Sequence, residues 1–188
     1  MTIKNCYIYI AIIISGVFLP ETSLAQISFS RTPKSDFDTL LVRVESGGSV
    51  SFRINSMNKY NEGVEYNDWS RIAVYFIDED DEFRTWNLQY KATTLNIIGD
   101  SGIDLYLDLD YLTIEAKDGG GGNDLSGYVQ PEKELDSEFQ TLIENAPQGN
   151  FSDNKIIITY RFGKGGNILL GEPPGYYVVD IVFEVTAN

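Results

Sequence analysis

The sequence predicts an all-β fold, an antiparallel β-sandwich built from two sheets. Three observations predict it. Several runs alternate apolar and polar residues with period two, the mark of a strand with one face buried. The chain is rich in strand-forming aromatics, with 12 Tyr and 10 Phe, and 17 Gly break it at intervals. Only one segment carries apolar residues at helical spacing.

The first 25 residues stand apart. Lys4 lies in a short polar start, and Cys6 to Leu19 is almost wholly apolar. Pro20 breaks that run, and Ser23-Leu24-Ala25 supplies the small residues of a cleavage site. This order reads as a secretory signal peptide, 1–25, with a mature chain starting at Gln26. The apolar run is short for a bilayer span, which takes about 20 residues. The expected location is therefore outside the cytoplasm: periplasm, cell surface or medium, with no membrane insertion after cleavage. Cys6 is the only cysteine. The mature chain would have none, so its core alone must hold it together. Residues 26–188 are ample for a single domain.

The elements follow in order. Leu40, Val42 and Val44 alternate with polar neighbours, and so do Val50, Phe52 and Ile54 beyond Gly47-Gly48; together they read as a β-hairpin. Ile72, Val74 and Phe76 form the next apolar face, ended by the acidic turn Asp78–Glu82. Trp86, Leu88 and Tyr90 follow, then Leu105, Leu107 and Leu109, then Leu112 to Ala116. Gly119 to Gly122 reads as a mobile loop. Leu135, Phe139, Leu142 and Ile143 have helical spacing, Ser137 offers an N-cap and Pro147 a stop, so one short helix is expected near 137–146. Ile156, Ile158, Tyr160 and Phe162 make another strand face. Tyr177, Val179, Ile181, Phe183 and Val185 make the longest. In all, about seven to nine strands with turns between them fit a sandwich.

Charge and composition exclude several functions. The chain has 14 Lys+Arg against 28 Asp+Glu, a net charge of −14. That field repels phosphate backbones, so nucleic acid is not an expected partner. Histidine is absent from the sequence, which removes His-based triads and most zinc sites. Gly163-Lys164-Gly165-Gly166 lacks phosphate-loop spacing and reads as a turn. No catalytic motif remains, and an enzyme is not expected.

Two constellations could bind something. Trp69, Tyr66 and Tyr60 could stack on a sugar ring, although a structural role accounts for them as well. The acidic residues Asp78, Asp80, Asp108 and Asp110 could contribute to a calcium site. Calcium needs six to eight oxygens at about 2.4 Å, and strand neighbours on one face lie roughly 6.5–7 Å apart. A solvated acidic face is therefore the expected reading, with no cofactor and calcium as the alternative.

The ending Leu169-Leu170-Gly171-Glu172-Pro173-Pro174-Gly175-Tyr176-Tyr177, running into the alternating strand, resembles the last strand of secreted bacterial immunoglobulin-like domains. Fimbrial and spore-coat-type subunits end in a similar turn and strand. The resemblance covers the C-terminal strand motif alone. It implies an immunoglobulin-like sandwich acting as a structural or adhesive module, with other surface subunits or glycans as partners. The resemblance carries over no functional residues; Tyr177, Val179, Ile181, Phe183 and Val185 are the candidate assembly strand on their own alternation. The chain departs from that pattern in lacking a disulfide, and Ile27 to Pro33 alternates only briefly. A carbohydrate-binding module, with or without calcium, is the alternative function.

Overall fold

The computed structural model describes residues 6–11, 38–100, 105–164 and 169–188. The predicted cleavage site at Ser23–Ala25, the new terminus at Gln26 and the segment Ile27–Pro33 lie outside them.

In chain order the strands are β1 (Cys6–Ala11), β2 (Asp38–Ser46), β3 (Phe52–Ile54), β4 (Val64–Asp78), β5 (Trp86–Ala92), β6 (Ile97–Gly99) and β7 (Tyr106–Leu107). They continue with β8 (Leu112–Asp118), β9 (Lys133–Glu134), β10 (Gln140–Ala146), β11 (Gly149–Phe162), β12 (Gly175–Val178) and β13 (Asp180–Ala187). One α-helical turn and a half, α1 (Met57–Glu62), and a 3-10 turn at Leu109–Tyr111 are the helical elements among the described residues.

Three antiparallel groups of strands result, with orders β1-β13-β5-β10, β2-β4-β11-β8-β9 and β3-β12-β6-β7. The first and third are nearly one sheet. Only Val179 separates β12 from β13. Thr93 N–H donates to the Asp180 carbonyl and Asp100 N–H to the Tyr176 carbonyl, at 2.9 Å each, so β5 and β6 follow one flank of the long strand. The other flank is covered by β3 beside β12 and by β1 beside β13. This composite sheet packs on the β2-β4-β11-β8-β9 sheet around a single core that includes Trp86, Tyr90, Phe76, Tyr160, Phe162, Tyr177 and Phe183. The all-β sandwich is thus the fold.

Several local expectations change. Residues 140–146 form β10, and the helix lies instead at 57–62. The reason is a pair of register shifts, between Thr141 and Ile143 and between Ile143 and Ala146. Bulges add residues to one strand and break its alternation, so the buried set becomes Leu142, Ile143 and Ala146. That spacing imitates a helix face. The expected hairpin of residues 40–54 is also not formed. β2 pairs with β4, and β3 crosses to pair with β12. The loop between them is pressed against β4: at Gly47, with φ +67°, a Cβ would come within 2.2 Å of the Trp69 carbonyl oxygen. Only glycine fits that approach without strain. The four-glycine stretch is tied down, with Gly119 N–H donating to Lys155 O and Gly122 N–H to Ser152 O.

Candidate functional site

The C-terminal strand positions the most distinctive surface. Tyr177, Val179, Ile181, Phe183 and Val185 are all buried in the core, and the Tyr177 hydroxyl donates to the Pro173 carbonyl at 2.7 Å. Burial, with Glu172 nearby, pushes the Tyr177 phenol up to about 12. Phe183 lies across from Tyr90 on β5, ring centroids 6.3 Å apart. On the other flank β13 meets β1 in an unbroken antiparallel register from Cys6↔Val185 to Ala11↔Asp180. The segment that pairs there is the one the sequence reads as the apolar heart of a signal peptide. Its Cys-Tyr-Ile-Tyr-Ile-Ala pattern is aromatic and β-branched, so it has strand propensity as well as hydrophobicity.

The outer face of β13 departs from expectation. Alternation predicts that Asp180 and Glu184 face water. Asp180 is exposed, but Glu184 is only 4% exposed, and its Oε1 is buried without a hydrogen-bond partner. Its cross-strand neighbours are Gln89 on β5 and Tyr7 on β1. Gln89 donates to the Thr141 hydroxyl instead. Lys91, one pair further along, sits over the Phe139 ring at 4.5 Å.

A second buried charge, Arg161 on β11, is handled differently. Its Nε donates to Glu65 Oε1 and its Nη2 to Glu115 Oε2, both at 2.6 Å, while its buried Nη1 lies 2.9 Å from Glu132 Oε2 as an ion pair without hydrogen-bond geometry. Burial opposes the guanidinium charge, but the Glu115 and Glu65 hydrogen bonds outweigh it and raise the Arg161 pKa above its ordinary value. The hydrogen bond to Arg161 in turn holds Glu65 below the usual carboxylate range. Glu115 is also lowered: desolvation resists, and Arg161 prevails.

The aromatic candidates are used internally. Opposite Thr159, β4 carries the extra residues Asn67, Asp68 and Trp69, with Asp68 at φ 52°. This bulge turns Trp69 outward, leaving it 41% exposed. Its Nε1 donates to the Ser49 carbonyl and the Tyr66 hydroxyl to the Ser51 carbonyl, each at 2.7 Å. The two rings lie 4.9 Å apart and tilted by 57°, and Tyr66 also leans on buried Phe52. Tyr60 packs against the core rather than joining this pair. The pair fastens the 47–51 loop to the sheet and offers no flat platform.

The acidic candidates are separated. Asp78 is buried, pairs with Arg84 at 2.7 Å and accepts the backbone N–H groups of Asp80 and Asp81. It organises its own turn, and Asp80 is exposed at the surface. Asp108 and Asp110 border a surface cleft of about 860 Å³ with Glu132, Glu134 and Asp136. Among the described residues no group of three or more acidic or cysteine side chains is arranged to hold a metal ion. Nor is any helix among them long and apolar enough to cross a membrane.

No protein-family model matches the chain, and no curated protein matches it. Arg161 and Glu184 are the residues that sequence reasoning missed as special. Both sit at polar positions of alternating strands, where a charge is ordinary. Only the strand order reveals that one has three carboxylates around it and the other has an oxygen with no partner.

Proposed function

We propose that this chain is an exported, non-enzymatic β-sandwich domain of immunoglobulin-like type. It serves as a structural or adhesive module and completes its sheet by taking up a strand from another molecule along β13. One observation carries this reading. Among the described residues, the flank of β13 from Asp180 to Val185 is paired only with Cys6–Ala11, inside the segment read as a signal peptide. Once that segment leaves with the leader, six consecutive residues of backbone lose their partner strand beside Ile181, Phe183 and Val185. An open edge of that kind is a template for strand addition. The neighbouring flank of β12 does not share this fate, because β3 covers it from within the domain. The absence of histidine and of any catalytic motif in the sequence supports a non-enzymatic role.

The test is N-terminal sequencing of the exported protein, joined to a glycan array with and without calcium. The expected terminus is Gln26, with no glycan bound. A retained Met1 would leave β1 in place and remove the basis for strand uptake. A specific glycan hit lost on Trp69→Ala would replace it with the carbohydrate-binding reading.

A further inference from the structure

We infer that the β13 edge selects its incoming strand by charge. The partner is a segment of a different, basic protein, with apolar residues at alternate positions and a Lys or Arg opposite Glu184. This rests on the proposed loss of β1 from that edge.

Three observations lead to it. First, with β1 paired beside it, Glu184 is 4% exposed with Oε1 unpartnered, and among the described residues no cation reaches it; a strand taking the place of β1 would enclose the same carboxylate. A carboxylate removed from water without a partner is costly, and the cost is relieved by a charge-assisted hydrogen bond. The register of β1 puts Tyr7 opposite it, a residue with no positive charge. Second, the same flank shows what a permanent occupant looks like. Beside β12, the chain supplies Phe52-Arg53-Ile54: the two apolar residues are buried, and Arg53 points outward over the Tyr176 ring at 5.2 Å. An apolar-basic-apolar strand is therefore the pattern already in use one step along the row. For β13 the core residues Val185, Phe183 and Ile181 and the outward Glu184 call for the same pattern, apolar-basic-apolar-polar-apolar in the antiparallel direction. Third, the net charge of −14 opposes a second copy and favours a basic partner. The chain's own candidate, Ile27-Ser28-Phe29-Ser30-Arg31, would set a serine opposite Glu184 when Ile27 and Phe29 face the core.

The experiment uses protein recovered from the export fraction, as wild type, Glu184→Gln and Glu184→Lys. Fluorescent peptides built on Ile-Lys-Ile-Ser-Ile, with the Lys kept or replaced by Ser or Glu, are titrated by anisotropy at low and high salt. A peptide copying residues 26–32 is the second-copy arm. Wild type should bind the Lys peptide at least about tenfold more tightly than the Glu peptide, with Ser between, and salt should narrow the gap. Glu184→Gln should level the three, and Glu184→Lys should reverse their order. Equal binding of all three to wild type would overturn charge selection while leaving strand uptake intact. Tightest binding of the 26–32 peptide would overturn the basic partner in favour of a second copy. Failure of every peptide to bind would overturn this inference together with the strand-uptake reading.

Discussion

Two buried charges on the outer faces of the two sheets meet opposite fates. Arg161, near the C-terminal end of β11, the middle strand of its sheet, is enclosed by Glu65, Glu115 and Glu132, drawn from β4, β8 and the approach to β9. Glu184, in β13, has a buried oxygen with nothing to accept from. Around Arg161 the first sheet is complete within the chain: β11 is flanked by both β4 and β8 from Ile156 to Phe162. The second depends on β1 for one flank. A fold that gives one buried charge three carboxylates, only its Nη1 lacking a hydrogen bond, and gives another no partner among the described residues is nearly finished in one place and unfinished in the other.

The comparison breaks most sharply in the core beneath β13. Phe183 is 1% exposed against Tyr90. Phe183→Asp buries an unpaired charge and should cost more than about 4 kcal/mol, unfolding the domain in urea well below the wild-type midpoint. A wild-type midpoint for that variant would mean that the strand is not part of the core.

Arg161→Leu is the matching test on the finished side. Three glutamates would lose their common cation, but each is between a quarter and two-fifths exposed, so water softens the loss. The expected cost is about 2–3 kcal/mol, below the range for fully buried pairs. The cluster also predicts an acid slope. Glu65 and Glu115 titrate below their ordinary value of 4.5 in the folded state. The stability they contribute is present above that value and is lost as pH falls through the lowered folded pKa values. Urea midpoints should therefore fall as pH drops from about 5 to 3, and Arg161→Leu should flatten that part of the slope. An unchanged slope in the variant would show that other carboxylates set it.

Trp69→Ala removes a hydrogen bond to Ser49 and a ring contact at a half-exposed site, and should cost about 1 kcal/mol. Asp180→Asn, at the exposed start of β13, should change the urea midpoint by less than about 0.5 kcal/mol equivalent. A larger effect at Asp180 than at Trp69 would invert the ranking that burial and bonding give.

Much of the sandwich was legible because alternation reports burial directly. Val42, Ile72, Val74, Phe76, Trp86, Leu88, Tyr90, Ile156, Ile158 and the five apolar residues of the C-terminal strand are buried as their spacing predicts. What alternation cannot report is pairing. Residues 40–54 have the pattern of a hairpin, yet Gly47 lets the chain leave one sheet for the other. Bulged strands are also misread, because an added residue turns period two into something closer to a helix, as at Leu142 and Ile143. Cys6–Ala11 satisfies two readings at once, since an apolar run with Tyr and Ile suits a leader's core and a strand equally. Alternation places Glu184 toward solvent, and nothing in the spacing of β13 reports what covers that face.

Amide hydrogen exchange along β13, in protein recovered after export, tests the central claim most directly. Antiparallel strands bond alternately to their two neighbours. The amides of Asp180 to Val185 that point to β5 should be protected, and the alternate set that points to the β1 flank should exchange fast until a strand peptide is added. Uniform protection along β13 in a chain that begins at Gln26, with no peptide present, would contradict the account: the flank would already be closed from within.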